Sequence, residues 1–135
     1  MKTFAAVRAL AASGPVAATV RGSSMLPGLA DGDRVEIARA RFYLPGDVVA
    51  FHAGDGRLVV HRLLGYRLYR GRLAGVTRGD AVTQLDAPVP LGQLLGRVVS
   101  HPGPAPLAPP RARVAAVGAF LRLVVRRIAR IGKRR

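Results

Sequence analysis

Gly22-Ser23-Ser24-Met25-Leu26-Pro27 sets a small hydroxyl side chain in a turn, after a strand-like run over residues 16–21 and ahead of a loop punctuated by Gly28 and Gly32. A serine hydroxyl becomes a useful nucleophile only when a neighbouring group takes its proton. The two lysines, Lys2 and Lys133, stand at the ends of the chain, and there is no cysteine. The base available within the body of the chain is therefore a histidine, the side chain that titrates closest to neutrality. His52, His61 and His101 are the candidates. His61 stands in the middle of Leu58-Val59-Val60-His61-Arg62-Leu63-Leu64, an apolar run that, as a strand, aims an imidazole rigidly.

Working outward, the neighbouring segments read as short strands. Arg34-Val35-Glu36-Ile37-Ala38 alternates polar and apolar, the pattern of a half-buried strand. Asp47-Val48-Val49-Ala50-Phe51 is entered through Pro45-Gly46, and Gly54-Asp55-Gly56 is a hairpin signal leading into the His61 run. Residues 66–72 and 73–77 read as a further hairpin around Gly71, and residues 92–100 as a closing strand. The expectation is a mainly β domain of several short strands folded on one core. Ahead of it, the apolar run of residues 1–20 is broken by Arg8 and by Gly14-Pro15, which leaves a short helix through residue 12 and falls short of a membrane span. A cleaved signal peptide is disfavoured, because the 22–27 turn follows too closely.

These segments occur in a telling order. Gly22-Ser23-Ser24-Met25-Leu26-Pro27, Asp31-Gly32-Asp33, Pro45-Gly46-Asp47-Val48-Val49, Val60-His61-Arg62-Leu63, Thr77-Arg78-Gly79-Asp80, Asp86 and Leu95-Gly96-Arg97-Val98 resemble, block by block, type I signal peptidases and their LexA-like relatives. The resemblance implies a coiled β-domain over residues 16–99, with Ser24, the serine before Met, as nucleophile. Most bacterial and self-cleaving members of that superfamily use a lysine as base, whereas the endoplasmic-reticulum-type branch has a histidine there. His61-Arg62-Leu63 resembles that second branch, which implies His61 as base and Asp86 as the acid that orients it. Asp80, Ser23 and Gly22 are implied as support for the site, and Met25 and Pro27 as lining of the substrate cleft. Some members carry a hydroxyl two positions before the nucleophile; here that position is Gly22, so an oxyanion hole has to rest on backbone N–H groups or Ser23. The implied activity is endopeptidase cleavage of a precursor or leader peptide after small residues, through an acyl-enzyme and without metal or cofactor.

The rest of the chain divides by composition. Residues 1–15 form a short N-terminal segment and residues 16–100 the β-domain. Residues 101–110 hold five prolines in ten positions and read as an extended linker. Residues 111–135 hold nine of the 22 basic residues and no acid, so they carry +9 of the formal +15. On a helical wheel, Val117, Phe120, Leu121, Val124, Val125, Ile128 and Ile131 gather on one side, opposite Arg122, Arg126, Arg130 and Lys133, with Leu123 off the pattern. Such a basic amphipathic helix suits an anionic membrane surface, which predicts peripheral membrane association and otherwise a cytoplasmic protein. Nucleic-acid binding is disfavoured, since the charge is concentrated in the tail and aromatic residues are only 5%. Two other classes stand beside the enzyme: a catalytically inactive peptidase-fold scaffold or basic binding module, and a self-processing protein, for which Leu73-Ala74-Gly75 offers a small-residue bond.

Overall fold

The computed structural model describes residues 13–54, 56–103 and 106–133; the short helix expected through residue 12 lies outside the described residues. Seven strands form one antiparallel sheet: β1 (Val16–Thr19), β2 (Arg34–Ala38), β3 (Val48–His52), β4 (Leu58–Tyr69), β5 (Arg72–Arg78), β6 (Val89–Pro90) and β7 (Leu94–Ser100). Their order across the sheet is β1-β2-β7-β3-β4-β5-β6. The last strand thus enters the middle of the sheet, between β2 and β3. β4 runs unbroken for 12 residues, joining the His61 run to what the sequence divides off as the first arm of a second hairpin. Its turn into β5 is made by Arg70 and Gly71, both at positive φ, the two-residue hairpin geometry that matches strand twist.

β3 explains why the sheet curls. Val48 and Ala50 point into one apolar cluster with Met25, Leu29, Val35, Ile37 and Leu95. Val49 and Phe51 point into another with Leu63, Val89 and Leu94. A strand buried on both faces needs cover on both, and the curled sheet supplies it. The expectation of a single core therefore divides into an apolar cluster on each side of β3.

A third cluster docks the helix α1 (Pro110–Lys133) on the sheet. Ala116 packs with Leu64 and Val76, and Phe120 and Leu123 lie against them. Gly65 makes room: a side chain there would meet the Phe120 ring at 2.8–2.9 Å. Arg113 reaches across to Asp47, which is only 3% exposed, at 2.9 Å, and Arg97 approaches the same carboxylate at 3.9 Å. The helix face turned to the protein is therefore the line Ala116, Phe120, Leu123. Phe120, grouped by the wheel with the free apolar face, belongs to this line, as does Leu123, which the wheel left out. Val117, Leu121, Val125 and Ile128 stay exposed.

The proline-rich segment is held against the domain where it is described. Leu107 packs on the first cluster, and its carbonyl accepts a hydrogen bond from Arg62. Pro110 occupies the first helical position, where a missing N–H costs nothing.

Candidate active site

Ser24 sits in the loop after β1, His61 in β4 and Asp86 in the loop between β5 and β6, and the fold brings all three together. Ser24 Oγ lies 3.0 Å from His61 Nε2, and His61 Nδ1 lies 2.6 Å from Asp86 Oδ2. With the proton on Nδ1 donated to Asp86, Nε2 is left to accept from the serine hydroxyl. Main-chain pairing of His61 with Val49 fixes the strand position, and the Phe51 ring meets the imidazole edge-on with centroids 6.2 Å apart. The His61 side chain is 14% exposed, so the pair is shielded yet reachable.

Several residues that motif reading passed over hold this constellation. Thr77, fully buried in β5, donates its hydroxyl to Asp86 Oδ2 at 2.8 Å, and its carbonyl accepts from the Asp86 N–H at 3.0 Å. Thr77 thereby holds both the backbone and the carboxylate of Asp86 in place beside the imidazole. Gly79 passes directly over the pair: a Cβ there would fall 2.7 Å from the Ser24 carbonyl oxygen and 3.2 Å from His61 Nε2. The turn after it is pinned, because the Ala81 N–H donates to the Ser24 carbonyl at 2.8 Å and the Val82 N–H to Gly79 at 3.0 Å. The sequence signal for both residues is the Thr77-Arg78-Gly79-Asp80 block itself.

The Asp80 carboxylate is bound by Arg62, the residue next to His61, in a two-pronged ion pair, Nε to Oδ1 and Nη2 to Oδ2, each 2.7 Å. Arg62 also donates to the carbonyls of Gly46 and Leu107. Asp80 thus anchors the turn over Ser24 to the strand residue next to His61. The Gly22 N–H is taken by Asp31 Oδ1 at 2.8 Å, so it shapes the loop and is not a spare donor for an oxyanion. Ser23 is exposed, and its carbonyl accepts from the Leu26 N–H at 3.2 Å.

Of the two residues expected to line the substrate cleft, one is in the core and the other borders a cavity. Met25 is 1% exposed and fills the first core cluster, with its sulfur beneath the Asp80 N–H. An unbranched apolar side chain at the root of the loop gains more from burial than from lining a groove. Pro27 lines a cavity of about 380 Å³ whose walls include Arg62, Asp80, His101 and Leu107, separate from the one that touches His61. That second cavity, about 200 Å³, is bounded by Phe51, Arg57, Val59, His61, Asp86 and Pro88. The Ala74-Gly75 bond lies within β5, paired to β4 on one side and β6 on the other, and is closed to attack in the folded chain. Among the described residues no three of His, Cys, Asp and Glu gather to hold a metal ion.

The arrangement can lower the cost of removing the serine proton and can hold an imidazolium once formed, as acyl transfer requires. Compared with known proteins, residues 4–71 match the description of the Peptidase S24-like family, a stretch that contains Ser24 and His61 and ends before Asp86. No curated protein matches the chain.

Proposed function

The chain belongs to the Peptidase S24-like family, a serine peptidase type, and from that premise we propose that it is an endopeptidase of the Ser/His branch that cleaves a precursor or leader peptide after small residues. The observation that carries this is the unbroken relay from Ser24 Oγ through His61 to Asp86 and on to Thr77. His61 Nε2 takes the hydroxyl proton as Ser24 Oγ bonds to the scissile carbonyl carbon. The carbonyl oxygen becomes an oxyanion, held by backbone N–H groups such as that of Ser24. Collapse breaks the C–N bond, and the proton on Nε2 leaves with the amine. His61 then deprotonates a water, which attacks the Ser24 ester, releases the carboxylate product and restores the hydroxyl. Asp86 holds the imidazole tautomer throughout. The cavity of about 200 Å³ beside His61, walled by Phe51, Val59 and Pro88, suits small side chains next to the cut.

The exposed stripe Val117, Leu121, Val125 and Ile128 supports work at an anionic membrane surface, with nearby arginines contributing about 1 kcal/mol each. No described helix is long and apolar enough to cross a membrane, so the association proposed is peripheral.

Peptide libraries with Ala or Gly on both sides of a single bond, analysed by mass, test the reading. Cleavage by the wild type, lost in Ser24→Ala and in His61→Ala, supports it. Unchanged cleavage in either variant removes that residue from the mechanism, and no cleavage by folded wild type with or without anionic vesicles overturns the assignment.

A further inference from the structure

The sheet-facing line of α1 changes character halfway along. Ala116, Phe120 and Leu123 follow the spacing of one helix face, and the same spacing continues to Arg127 and Arg130. Both arginines are exposed. Beneath them, between the helix and the β4–β5 side of the domain, runs a cleft of about 620 Å³. Its floor is apolar, built by Val76, Phe120 and Leu123, while Arg67 from β4 and Arg126, Arg127 and Arg130 from the helix supply the charge.

Among the residues lining this cleft the one acid is Asp86, which is committed to His61 and Thr77. Four guanidinium groups over an apolar floor repel one another until an anion neutralises them, and their planar forks match carboxylates. Asp86 and Pro88 form a wall of both this cleft and the small cavity beside His61. The two spaces are therefore neighbours, adjoining at Asp86 and Pro88. We propose that the cleft is an exosite for an acidic, apolar segment of the substrate flanking the scissile bond, so that the arginines select precursors carrying carboxylates there. This rests on the peptidase reading for the identity of the occupant, although its binding chemistry is independent of catalysis.

Binding is measured in the Ser24→Ala protein, by fluorescence anisotropy of a short labelled peptide of alternating Glu and Val and of its Gln-for-Glu counterpart. The Glu peptide is expected to bind at least about tenfold tighter. Arg127→Glu with Arg130→Glu removes that preference, whereas Arg34→Glu with Arg41→Glu, which changes net charge equally on exposed positions away from the cleft, preserves it. Equal loss in both pairs reduces the effect to general attraction to a basic chain and overturns the proposal. So does equal binding of the Glu and Gln peptides. Loss of binding to phosphatidylglycerol vesicles in the Arg127/Arg130 variant, without any Glu preference, assigns these arginines to lipid and overturns it too. Labelling of wild-type Ser24 by a serine acylating probe separates the two readings: labelling without Glu preference keeps the peptidase and removes the exosite, whereas Glu preference without labelling keeps the cleft as a peptide site and removes the peptidase.

Discussion

Gly79 leaves no space for a side chain above Ser24: a Cβ would stand 2.7 Å from the serine carbonyl oxygen and 3.0 Å from its Cβ. The same atom would come 3.2 Å from His61 Nε2, the nitrogen that lies 3.0 Å from Ser24 Oγ. The close approach is what lets the turn of residues 79–82 fasten the Ser24 loop through the Ala81 N–H. Gly79→Ala is therefore expected to push the turn off Ser24 and spoil the 3.0 Å contact to His61, lowering the acylation rate by about 10²-fold. Thermal unfolding is expected to shift little by comparison. An alanine variant with wild-type acylation would show that the turn does not position the nucleophile.

Thr77 and Asp86 form the far end of the relay. Thr77→Val keeps the shape and removes the donor at 2.8 Å, which leaves the carboxylate free to rotate away from the imidazole. The expected loss is about tenfold in kcat/KM, the value of about one hydrogen bond, with recovery in Thr77→Ser. Asp86→Asn removes the group that holds the imidazole tautomer and is expected to cost on the order of 10⁴-fold. A Thr77→Ser variant as impaired as Thr77→Val would point to packing and not to the hydroxyl.

Asp47 is buried with Arg113 at 2.9 Å, and this pair fastens the start of α1 to the sheet. Arg113→Ala leaves the carboxylate with Arg97 at 3.9 Å and the Leu44 N–H at 2.8 Å. Partial compensation brings the expected cost to about 2 kcal/mol, below the range for a wholly deserted buried charge, and a melting temperature lower by roughly 5–10 °C. Amide exchange in the first turns of α1 should rise in the same variant. An unchanged melting temperature would mean that the helix holds to the sheet without the pair.

Tyr66 gives the stability a dependence on alkaline pH. Burial first, then the Asp47 carboxylate and Tyr43, raise its phenol above the ordinary 10.0, and its hydroxyl donates to the Tyr43 carbonyl. The folded state thus holds this proton more tightly than the unfolded chain. The contribution is complete below pH 10 and declines as the pH rises toward the higher folded-state value. Urea titrations are expected to show Tyr66→Phe less stable than wild type near neutral pH, by about 1 kcal/mol, with the gap narrowing above pH 10. A gap independent of pH would detach the tyrosine from this behaviour.

Much of this was legible along the chain. The alternation in Arg34–Ala38 is that of β2 itself, because one face meets the core and the other meets solvent. The absence of an internal lysine and the apolar setting of His61 pointed to the pair now seen at 3.0 Å. The insertion of β7 between β2 and β3 was not legible, since pairing across the sheet follows no local pattern. The Thr77-Arg78-Gly79-Asp80 block marked Thr77, but not as a partner of Asp86, because a threonine in a strand looks like an ordinary strand former. Leu123 broke the wheel because the helix has two apolar faces: one meets the sheet through Ala116 and Phe120, and the other stays outside. Met25 follows Ser24 directly in sequence, yet its side chain is buried in the first core cluster, a difference that no local pattern shows.

The most direct test of the central claim is covalent labelling by a serine acylating probe, followed from pH 5 to pH 9 in wild type, Ser24→Ala and His61→Ala. The account predicts label on Ser24, a rate that rises as an imidazole loses its proton, and no labelling in either variant. Folded wild-type protein that takes no label, or label that persists in His61→Ala with the same pH profile, would contradict it.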